Sequence, residues 1–286
     1  MKLGLSLAGG GIKGFSHIGA IKALEEAKIK FDYISGTSSG SIVATLYACS
    51  YTTDEIYKIF QKYVNEIKYV DSVNIKKFFK NLITFKGIQL DGLNSGTKIK
   101  KLVEKVCSQK GITNINQVKM PLVIPAVNLK TEELYVFSNN ILENRSSSIK
   151  YINNIDLGTA VQASCSYPGV FSPCRYKQDL LVDGGIAENI PWRETKRAGA
   201  DKVISIVFTD KVPKKCCDNI FEVINKSFSI LSKELAEYEW DGADYLLKIK
   251  EPKVGLLEKK KIDELYNEGY IQTKQKIGDI RQKLGI

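Results

Sequence analysis

The hydrophobic pattern of the first fifty residues alternates between short apolar runs and longer helical stripes. Leucines at every second position predict a short buried strand over 2–8. Apolar residues at three-residue steps predict a helix over 13–27. A second strand over 31–35 and a second helix over 39–49 follow in the same order. This alternation predicts a parallel sheet that helices cover on both faces.

Residues 52–110 have a different character, because they are helical in pattern, basic, and interrupted by glycines. The sequence TTDE at 52–55 predicts a helix start of the capping-box type. An apolar stripe predicts a helix over 99–106. Between them, KKFFKNLITFK at 76–86 has two interpretations: packing on the domain, which we favour, or contact with a membrane interface.

The remaining sequence continues the mixture of strands and helices. We predict strands over 121–129, 133–138, 202–208 and near 244–249, a strand that ends at 180–182, and a helix over 157–163. No internal repeat or linker is visible. We therefore predict one domain over 1–286, with core motifs in 4–210, a helical insertion or lid at about 52–110, and a helical C-terminal part from about 218.

Composition narrows the class of protein. The formal charge is +10, and twelve lysines stand against four acids between Lys58 and Lys110. Such a surface is either simply solvated or attracted to a polyanion, and charge alone does not separate nucleic acid from an anionic membrane. With no signal-peptide pattern and no apolar run of about 18 residues, we expect a cytoplasmic protein. The six cysteines are irregularly spaced and the single histidine is His17, so we expect reduced thiols and no metal site.

The stretch GLSLAGGGIKG at 4–14 carries the first candidate chemistry. Gly9, Gly11 and Gly14 match the spacing G-x-G-x-x-G, which is typical of dinucleotide binding when it joins a strand to a helix. That function requires an acidic residue at the end of the second strand. Asp32, the acid of that strand, stands at its beginning. The missing acid argues against a nucleotide-binding protein, which remains one alternative; a nucleic-acid-binding protein is the other.

GTSSG at 36–40 stands at the end of the second strand instead. Gly36, Ser38 and Gly40 match G-x-S-x-G, which on a sharp turn between strand and helix exposes the central hydroxyl as a nucleophile. The alternative is that Ser38 only caps the following helix. If the first two strands are neighbours, the backbone N–H groups of Gly9, Gly10 and Gly11 form an anion pocket beside Ser38.

A serine nucleophile also needs a base. His17 lies one turn into the first helix, where we expect a structural role. Asp183, in LLVDGG at 180–185, follows an apolar strand, and a carboxylate in a partly desolvated cleft becomes a stronger base. A simple turn aspartate is an equal alternative at this point.

Taken together, these motifs resemble those of the patatin-like phospholipases. The family's glycine-rich oxyanion loop matches Gly9 to Gly14, its G-x-S-x-G matches Gly36 to Gly40, and its D-G-[GA] matches Asp183 to Gly185. Two further stretches, ASCSYPGVFSP at 163–173 and the N-I-P at 189–191, are also similar to the family.

The resemblance implies a three-layer α/β/α fold with a mostly parallel central sheet. It implies Ser38 as nucleophile, Asp183 as base and an oxyanion hole at Gly9, Gly10 and Gly11, in which we favour the N–H groups of Gly10 and Gly11. It implies hydrolysis of lipid carboxylic esters through an acyl-enzyme, with no metal or other cofactor. The supporting motif residues are Lys13, Gly14, Gly36, Gly40, Gly184 and Gly185. The implied partner is a lipid substrate rather than nucleic acid, with peripheral membrane contact left open. The lipid cleaved and the oligomeric state are not given by these motifs.

Overall fold

A computed structural model of the chain describes residues 1–66, 94–140, 147–209, 220–252 and 261–286. The strands are β1 (Leu3–Leu7), β2 (Tyr33–Gly36), β3 (Leu122–Asn128), β4 (Leu134–Ser138), β5 (Ile149–Ile152), β6 (Cys174–Tyr176), β7 (Asp179–Asp183), β8 (Lys202–Thr209) and β9 (Tyr245–Lys250). The helices are α1 (Gly14–Glu26), α2 (Ser39–Ala48), α3 (Thr53–Glu66), α4 (Thr97–Ser108), α5 (Leu157–Ser164), α6 (Trp192–Arg197), α7 (Ile220–Trp240) and α8 (Ile262–Leu284).

The described strands form one sheet in the order β5-β4-β3-β2-β1-β8-β9, with β7 paired to β3 and β6 paired to β7. The central strands β3, β2, β1, β8 and β9 run parallel to their neighbours in that order. Antiparallel pairing is confined to β3 with β4, β3 with β7, and β6 with β7. The predicted mostly parallel sheet is therefore confirmed.

Two hydrophobic clusters cover the two faces of the sheet. Along β8, Ile204 and Ile206 belong to the larger cluster, whereas Val203 and Val207 belong to the smaller one. Successive side chains on a strand point to opposite faces, so this alternation places one cluster on each side. Helices α1, α2 and α8 contribute to the larger cluster, and α6 contributes Trp192 to the smaller one. The predicted three-layer α/β/α arrangement follows from this.

Most predicted elements lie within a residue or two of the observed ones, but β5 and β6 were missed. Both are short and only partly buried, so they lack a strong apolar pattern. The predicted capping box is present, because the Glu55 carboxylate accepts from the Thr52 N–H at 2.8 Å and the Glu55 N–H donates to the Thr52 hydroxyl at 3.3 Å. The stretch 76–86 lies outside the described residues.

The C-terminal helix α8 packs tightly on α1. A Cβ atom placed on Gly19 would lie 2.0 Å from the carbonyl oxygen of Tyr266, and one on Gly269 would lie 2.1 Å from that of Ser16. Only glycine allows the two backbones to approach this closely. The Ser16 hydroxyl also donates to the Leu265 carbonyl at 2.8 Å. The contact anchors the helix that begins directly after the glycine loop.

Candidate active site

The glycine loop and the G-x-S-x-G turn leave the sheet side by side. Strands β1 and β2 are parallel neighbours, with Leu7 opposite Gly36. The expectation that these strands are adjacent is therefore confirmed. Because β1 and β2 are parallel, both strands end at the same edge of the sheet. The loop from Gly9 and the turn at Ser38 therefore lie next to each other at that edge.

Ser38 occupies a sharp, strained turn between β2 and α2. Its backbone has a φ of 52° and a ψ of −125°, which residues with a side chain rarely adopt. The turn is closed by the Gly40 N–H, which donates to the Thr37 carbonyl at 2.8 Å. The Ser38 hydroxyl makes no capping bond to α2. The turn thus presents the hydroxyl away from the helix, as a nucleophile turn would.

Steric contacts explain the two glycines that flank Ser38. A Cβ on Gly36 would lie 2.3 Å from the carbonyl oxygen of Gly40, and one on Gly40 would lie 2.5 Å from that of Leu7. Both obstacles are backbone atoms, which cannot swing aside. The Gly36 contact lies within the turn itself, whereas the Gly40 contact is with the neighbouring strand β1.

Asp183 reaches the same place from a different direction. Strand β3 continues past the end of β2, and β7 pairs antiparallel to that extension with Asp183 opposite Ala126. The sequence pattern predicts the strand but not its antiparallel direction. The tight path after Asp183 requires Gly184, because a Cβ there would lie 2.5 Å from the Pro125 carbonyl oxygen.

The carboxyl group of Asp183 is almost fully buried. One oxygen, Oδ1, accepts from the Gly185 N–H at 2.8 Å, so the residue also serves as the turn aspartate that the sequence allowed. The other, Oδ2, has no hydrogen-bond partner of full geometry among the described residues. Burial raises the pKa of Asp183 to about 7, against the opposing effects of the Ser38 hydroxyl and the Gly185 N–H. Such a carboxylate is a far stronger base than an exposed one.

In the glycine loop, the three N–H groups face different partners. The Gly9 N–H donates to Asn189, at 3.0 Å to Oδ1 and 3.3 Å to the backbone oxygen. Among the described residues, the N–H groups of Gly10 and Gly11 have no acceptor. Gly11 has a φ of 60°, in the left-handed region that favours glycine. The loop therefore offers two open donors, those of Gly10 and Gly11, the two residues favoured from the sequence.

Ser38, Asp183 and the glycine loop line one cavity of about 250 Å³. Its further walls are mostly apolar, and the larger part of them comes from α3 and α4, which the active-site motifs do not include. These wall residues are Ile42, Phe60, Tyr63, Val64, Ile99 and Phe171. An amphipathic pattern marks α3 and α4, but it does not say that they face a site. The cavity brings together a buried carboxyl group, a half-buried serine and open N–H donors within an apolar enclosure.

Two of the six supporting motif residues lie directly at this cavity. Lys13 and Gly185 line it. The Lys13 ammonium also lies 5.8 Å from the centre of the Phe208 ring. A Cβ on Gly14 would lie 2.6 Å from the Phe60 ring, so glycine there admits the aromatic wall.

His17 is placed as a structural residue rather than as a base. It is fully buried, and its Nε2 lies 2.8 Å from the Ala8 carbonyl oxygen. Burial lowers the pKa of His17 to about 4, so the ring is neutral and Nε2 donates its proton to that oxygen. The ring stacks obliquely on Phe208, with centroids 4.5 Å apart. His17 therefore fixes the end of β1, where the glycine loop begins.

The dinucleotide alternative loses its remaining support. Asp32 bonds to the backbone of β1 at the opposite end of the sheet, where its carboxylate accepts from the Leu3 N–H at 2.8 Å. It cannot reach a ribose at the glycine loop. Within the residues described, no group of three or more His, Cys, Asp or Glu side chains is arranged to hold a metal ion. No helix in the described ranges is both long and apolar enough to cross a bilayer.

Comparison with known families agrees with the fold and the site. The family model described as patatin-like phospholipase matches residues 5–196, which include the glycine loop, the Ser38 turn and Asp183. The mostly parallel sheet with helices on both faces places the chain in the class of three-layer α/β/α proteins. Within that class, this chain belongs to the patatin-like phospholipase family.

Individual relatives cover the chain to different extents. Over 204 residues it is 27% identical to the lysophospholipase NTE1 of Meyerozyma guilliermondii, an alignment that covers 71% of this chain but 12% of that protein. It is 30% identical over 242 residues to the uncharacterized protein YqhO of Bacillus subtilis, covering 78% of each. The human GIVD cytosolic phospholipase A2, solved with methyl gamma-linolenyl fluorophosphonate, shares 12% identity at a TM-score of 0.50, over 99% of this chain and 58% of that one. At that identity, the structural match shows the fold alone.

Proposed function

We propose that this protein hydrolyses carboxylic esters of phospholipids or related lipids through a Ser38–Asp183 dyad and an acyl-enzyme intermediate. One observation carries the proposal: the strained Ser38 turn and the buried Asp183 carboxyl face the same apolar-walled cavity. One oxygen of that carboxyl has no hydrogen-bond partner among the described residues. Membership of the patatin-like phospholipase family and the similarity to a lysophospholipase support a lipid as the substrate.

In the proposed first step, Asp183 takes the proton from the Ser38 hydroxyl as its oxygen attacks the ester carbonyl. A pKa of about 7 suits this role, because the base is then partly ionised at neutral pH yet strong enough to accept a proton. The Ser38 hydroxyl lowers the pKa of Asp183, but it makes no hydrogen bond of full geometry to Oδ2. Such contacts commonly tighten only when substrate binds.

The developing oxyanion is stabilised by backbone N–H groups of the glycine loop. We assign this role to Gly10 and Gly11, because their N–H groups are open, whereas that of Gly9 is held by Asn189. Fixed donors in a cavity that excludes water stabilise a charge without reorganisation. Protonated Asp183 then gives its proton to the departing alcohol oxygen. Water, activated by the same carboxylate, releases the fatty acid and restores Ser38.

The apolar walls supply binding for the acyl chain. Phe60 and Tyr63 on α3 and Ile99 on α4 are buried and face the cavity beyond Ser38. Apolar surface of this kind contributes roughly 25 cal/mol per Å² covered. We therefore propose that the carbonyl lies at Ser38 while the acyl chain extends between α3 and α4.

The test compares the wild type with Ser38→Ala and with the neighbouring variant Ser39→Ala. Each purified protein is given a short-chain chromogenic ester, lysophosphatidylcholine micelles and diacyl phosphatidylcholine vesicles, with a chelator present. We expect fatty-acid release to fall by about 10⁴-fold or more in Ser38→Ala, the scale of losing a nucleophile. Ser39→Ala should stay near wild type, because its buried hydroxyl has no partner among the described residues.

A fluorophosphonate provides a second readout that does not depend on the substrate chosen. It should add one covalent group to the wild type and to Ser39→Ala, but none to Ser38→Ala, as intact mass spectrometry would show. The ratio of lysophospholipid to diacyl hydrolysis then distinguishes a lysophospholipase from a phospholipase A. Equal activity in Ser38→Ala and wild type would refute the dyad.

A further inference from the structure

The Gly9 N–H is the only one of the three loop donors that a side chain of the described protein engages. Asn189 accepts it twice, through Oδ1 at 3.0 Å and through its backbone oxygen at 3.3 Å. Because each peptide group is planar, holding the Gly9 N–H fixes the peptide plane between Ala8 and Gly9, from which the chain continues directly into the next two N–H groups. These are the groups of Gly10 and Gly11, which we assign to the oxyanion.

Asn189 also lies between the two halves of the site. A Cβ on Gly9 would be 2.6 Å from Asn189 Oδ1, and a Cβ on Gly185 would be 3.1 Å from the same atom. Gly185 in turn donates its N–H to the Asp183 carboxylate. One amide side chain therefore packs against both the oxyanion loop and the turn that holds the base.

Glu239, near the end of α7, holds Asn189 in place. Its Oε1 accepts from the Asn189 N–H at 2.7 Å, and its backbone oxygen accepts from the Trp192 indole N–H at 2.6 Å. The side chain is buried, with 4% of its surface exposed. Glu239 lies beyond residues 5–196, so the motifs of the family do not include it.

The surroundings of Glu239 act on its charge in both directions, because the N–H groups of Asn189 and Ile190 and the charge of Arg193 favour the carboxylate, whereas burial opposes it. Burial raises its pKa to about 7, and its Oε2 has no hydrogen-bond partner among the described residues. What Asn189 needs is an acceptor oxygen at the Oε1 position, which a glutamine would also supply. The neutral variant Glu239→Gln is therefore the conservative replacement, and Glu239→Ala removes the acceptor.

We propose that Asn189 and Glu239 are positioning residues, which connect α7 to Gly9 and thereby aim the oxyanion donors. The proposal rests on the function proposed above. Neither residue reacts with substrate. Their role is to hold the loop in the geometry that the transition state needs, where a displacement of about 1 Å can cost roughly 100-fold in rate.

The first measurement follows the Gly9 amide directly. The dipeptide Ala-Gly occurs only at 8–9 and 198–199, so carbonyl-¹³C alanine with ¹⁵N glycine selects the amides of Gly9 and Gly199. The Gly199 N–H donates to the Lys196 carbonyl at 2.9 Å and serves as an internal reference. We expect Asn189→Ala and Glu239→Ala to speed hydrogen exchange of Gly9 by at least about tenfold relative to Gly199, and Glu239→Gln to leave it unchanged.

The second measurement is kinetic, on the chromogenic ester. Asn189→Ala and Glu239→Ala should lower kcat by about 10- to 100-fold with KM within about threefold, because oxyanion donors act mainly on the transition state. Glu239→Gln should recover most of the lost kcat. The matched control is Glu237→Ala, an exposed residue on the same helix, which should behave as wild type in both measurements.

The outcomes separate the two proposals. Unchanged Gly9 exchange in Asn189→Ala overturns the positioning role whatever the activity. A fall in activity that Glu239→Gln fails to recover, with Gly9 exchange still slow, also overturns it. If the wild type releases no fatty acid and takes up no fluorophosphonate, the proposed function fails, and the exchange rates in the same samples still decide whether Asn189 and Glu239 hold the loop.

Discussion

Two regions of this protein contribute to the site in different ways. In residues 5–196, each candidate reacting group stands on a turn whose backbone is dictated by glycines. The C-terminal part, described over 220–252 and 261–286, supplies none of the candidate reacting groups among its described residues. Its β9 extends the sheet beside β8, its α8 packs on α1, and its α7 brings Glu239 to Asn189.

The two regions differ in how far apart along the chain the residues lie that determine each structural feature. The Ser38 turn is specified by residues within two positions of it, because Gly36 and Gly40 are needed for the local backbone path. The C-terminal part acts through contacts between residues far apart in the chain, such as Glu239 with Asn189 and Gly269 with Ser16. The candidate reacting groups are thus positioned by residues close to them in the sequence, whereas the C-terminal part supports them through tertiary packing. Substitutions in the two regions should therefore affect activity and stability in different proportions.

The largest expected effect is on activity, from Asp183→Asn in the first region. The amide keeps the shape and can still accept from the Gly185 N–H, but it cannot take the Ser38 proton. We expect kcat to fall by about 10⁴-fold, the scale of losing an acid–base partner of a nucleophile. Initial rates on the chromogenic ester measure it. Asp179→Asn, on the same strand, is the control, because Asp179 bonds to Tyr135 at the far end of β7. A comparable loss in both variants would contradict the special role of Asp183.

Asp183→Asn should also raise the free energy of unfolding, so that the substitution that removes activity makes the fold more stable. Burial raises the pKa of Asp183 from 3.8 to about 7, so the folded state binds a proton that the unfolded state releases between these values. Stability of the wild type therefore falls as pH rises through that window. At about 1.36 kcal/mol per pKa unit, Asp183→Asn should gain about 4 kcal/mol at pH 8, and close to nothing below pH 3.8. Urea denaturation at the two pH values measures this, and a pH-independent difference would exclude the ionisation as its cause.

The range of these contacts also explains what the sequence predicts and what it does not. Four features follow from short sequence patterns of neighbouring residues: strands β1 and β2, the Ser38 turn and the Asp183 turn. The partner of the Gly9 N–H does not, since Asn189 lies 180 positions away along the chain. The role of Glu239 is less visible still, because a glutamate in an amphipathic helix is usually exposed. The antiparallel direction of β7 depends on β3 extending beyond β2, which strand lengths read from a pattern do not fix.

In the C-terminal part, Gly269→Ala should lower stability with little effect on chemistry. Its Cβ would lie 2.1 Å from the Ser16 carbonyl oxygen, so α8 and α1 must separate. Overpacking of this kind costs about 1–3 kcal/mol, which urea denaturation measures. Well below the melting temperature, kcat should stay within about threefold of wild type. A fall in kcat of about 100-fold in a fully folded sample would break the comparison, because it would mean that α8 aims the glycine loop as well as supporting it.

The smallest expected effect has the opposite sign and comes from the same helix. Gly278 lies in α8, is exposed, and would have no heavy atom within 4 Å of an added Cβ. Glycine inside a helix is less stable than alanine by roughly 0.5–1 kcal/mol, because it loses more backbone freedom on folding. Gly278→Ala should therefore raise the free energy of unfolding by about that amount and leave kcat unchanged. The chemical substitution is identical to Gly269→Ala, so opposite signs at the two positions would show that the packing of α8 on α1, rather than helix propensity, sets its contribution. Equal signs would mean that the close approach at Ser16 relaxes without cost, and the C-terminal part would then contribute less to stability than its contacts indicate.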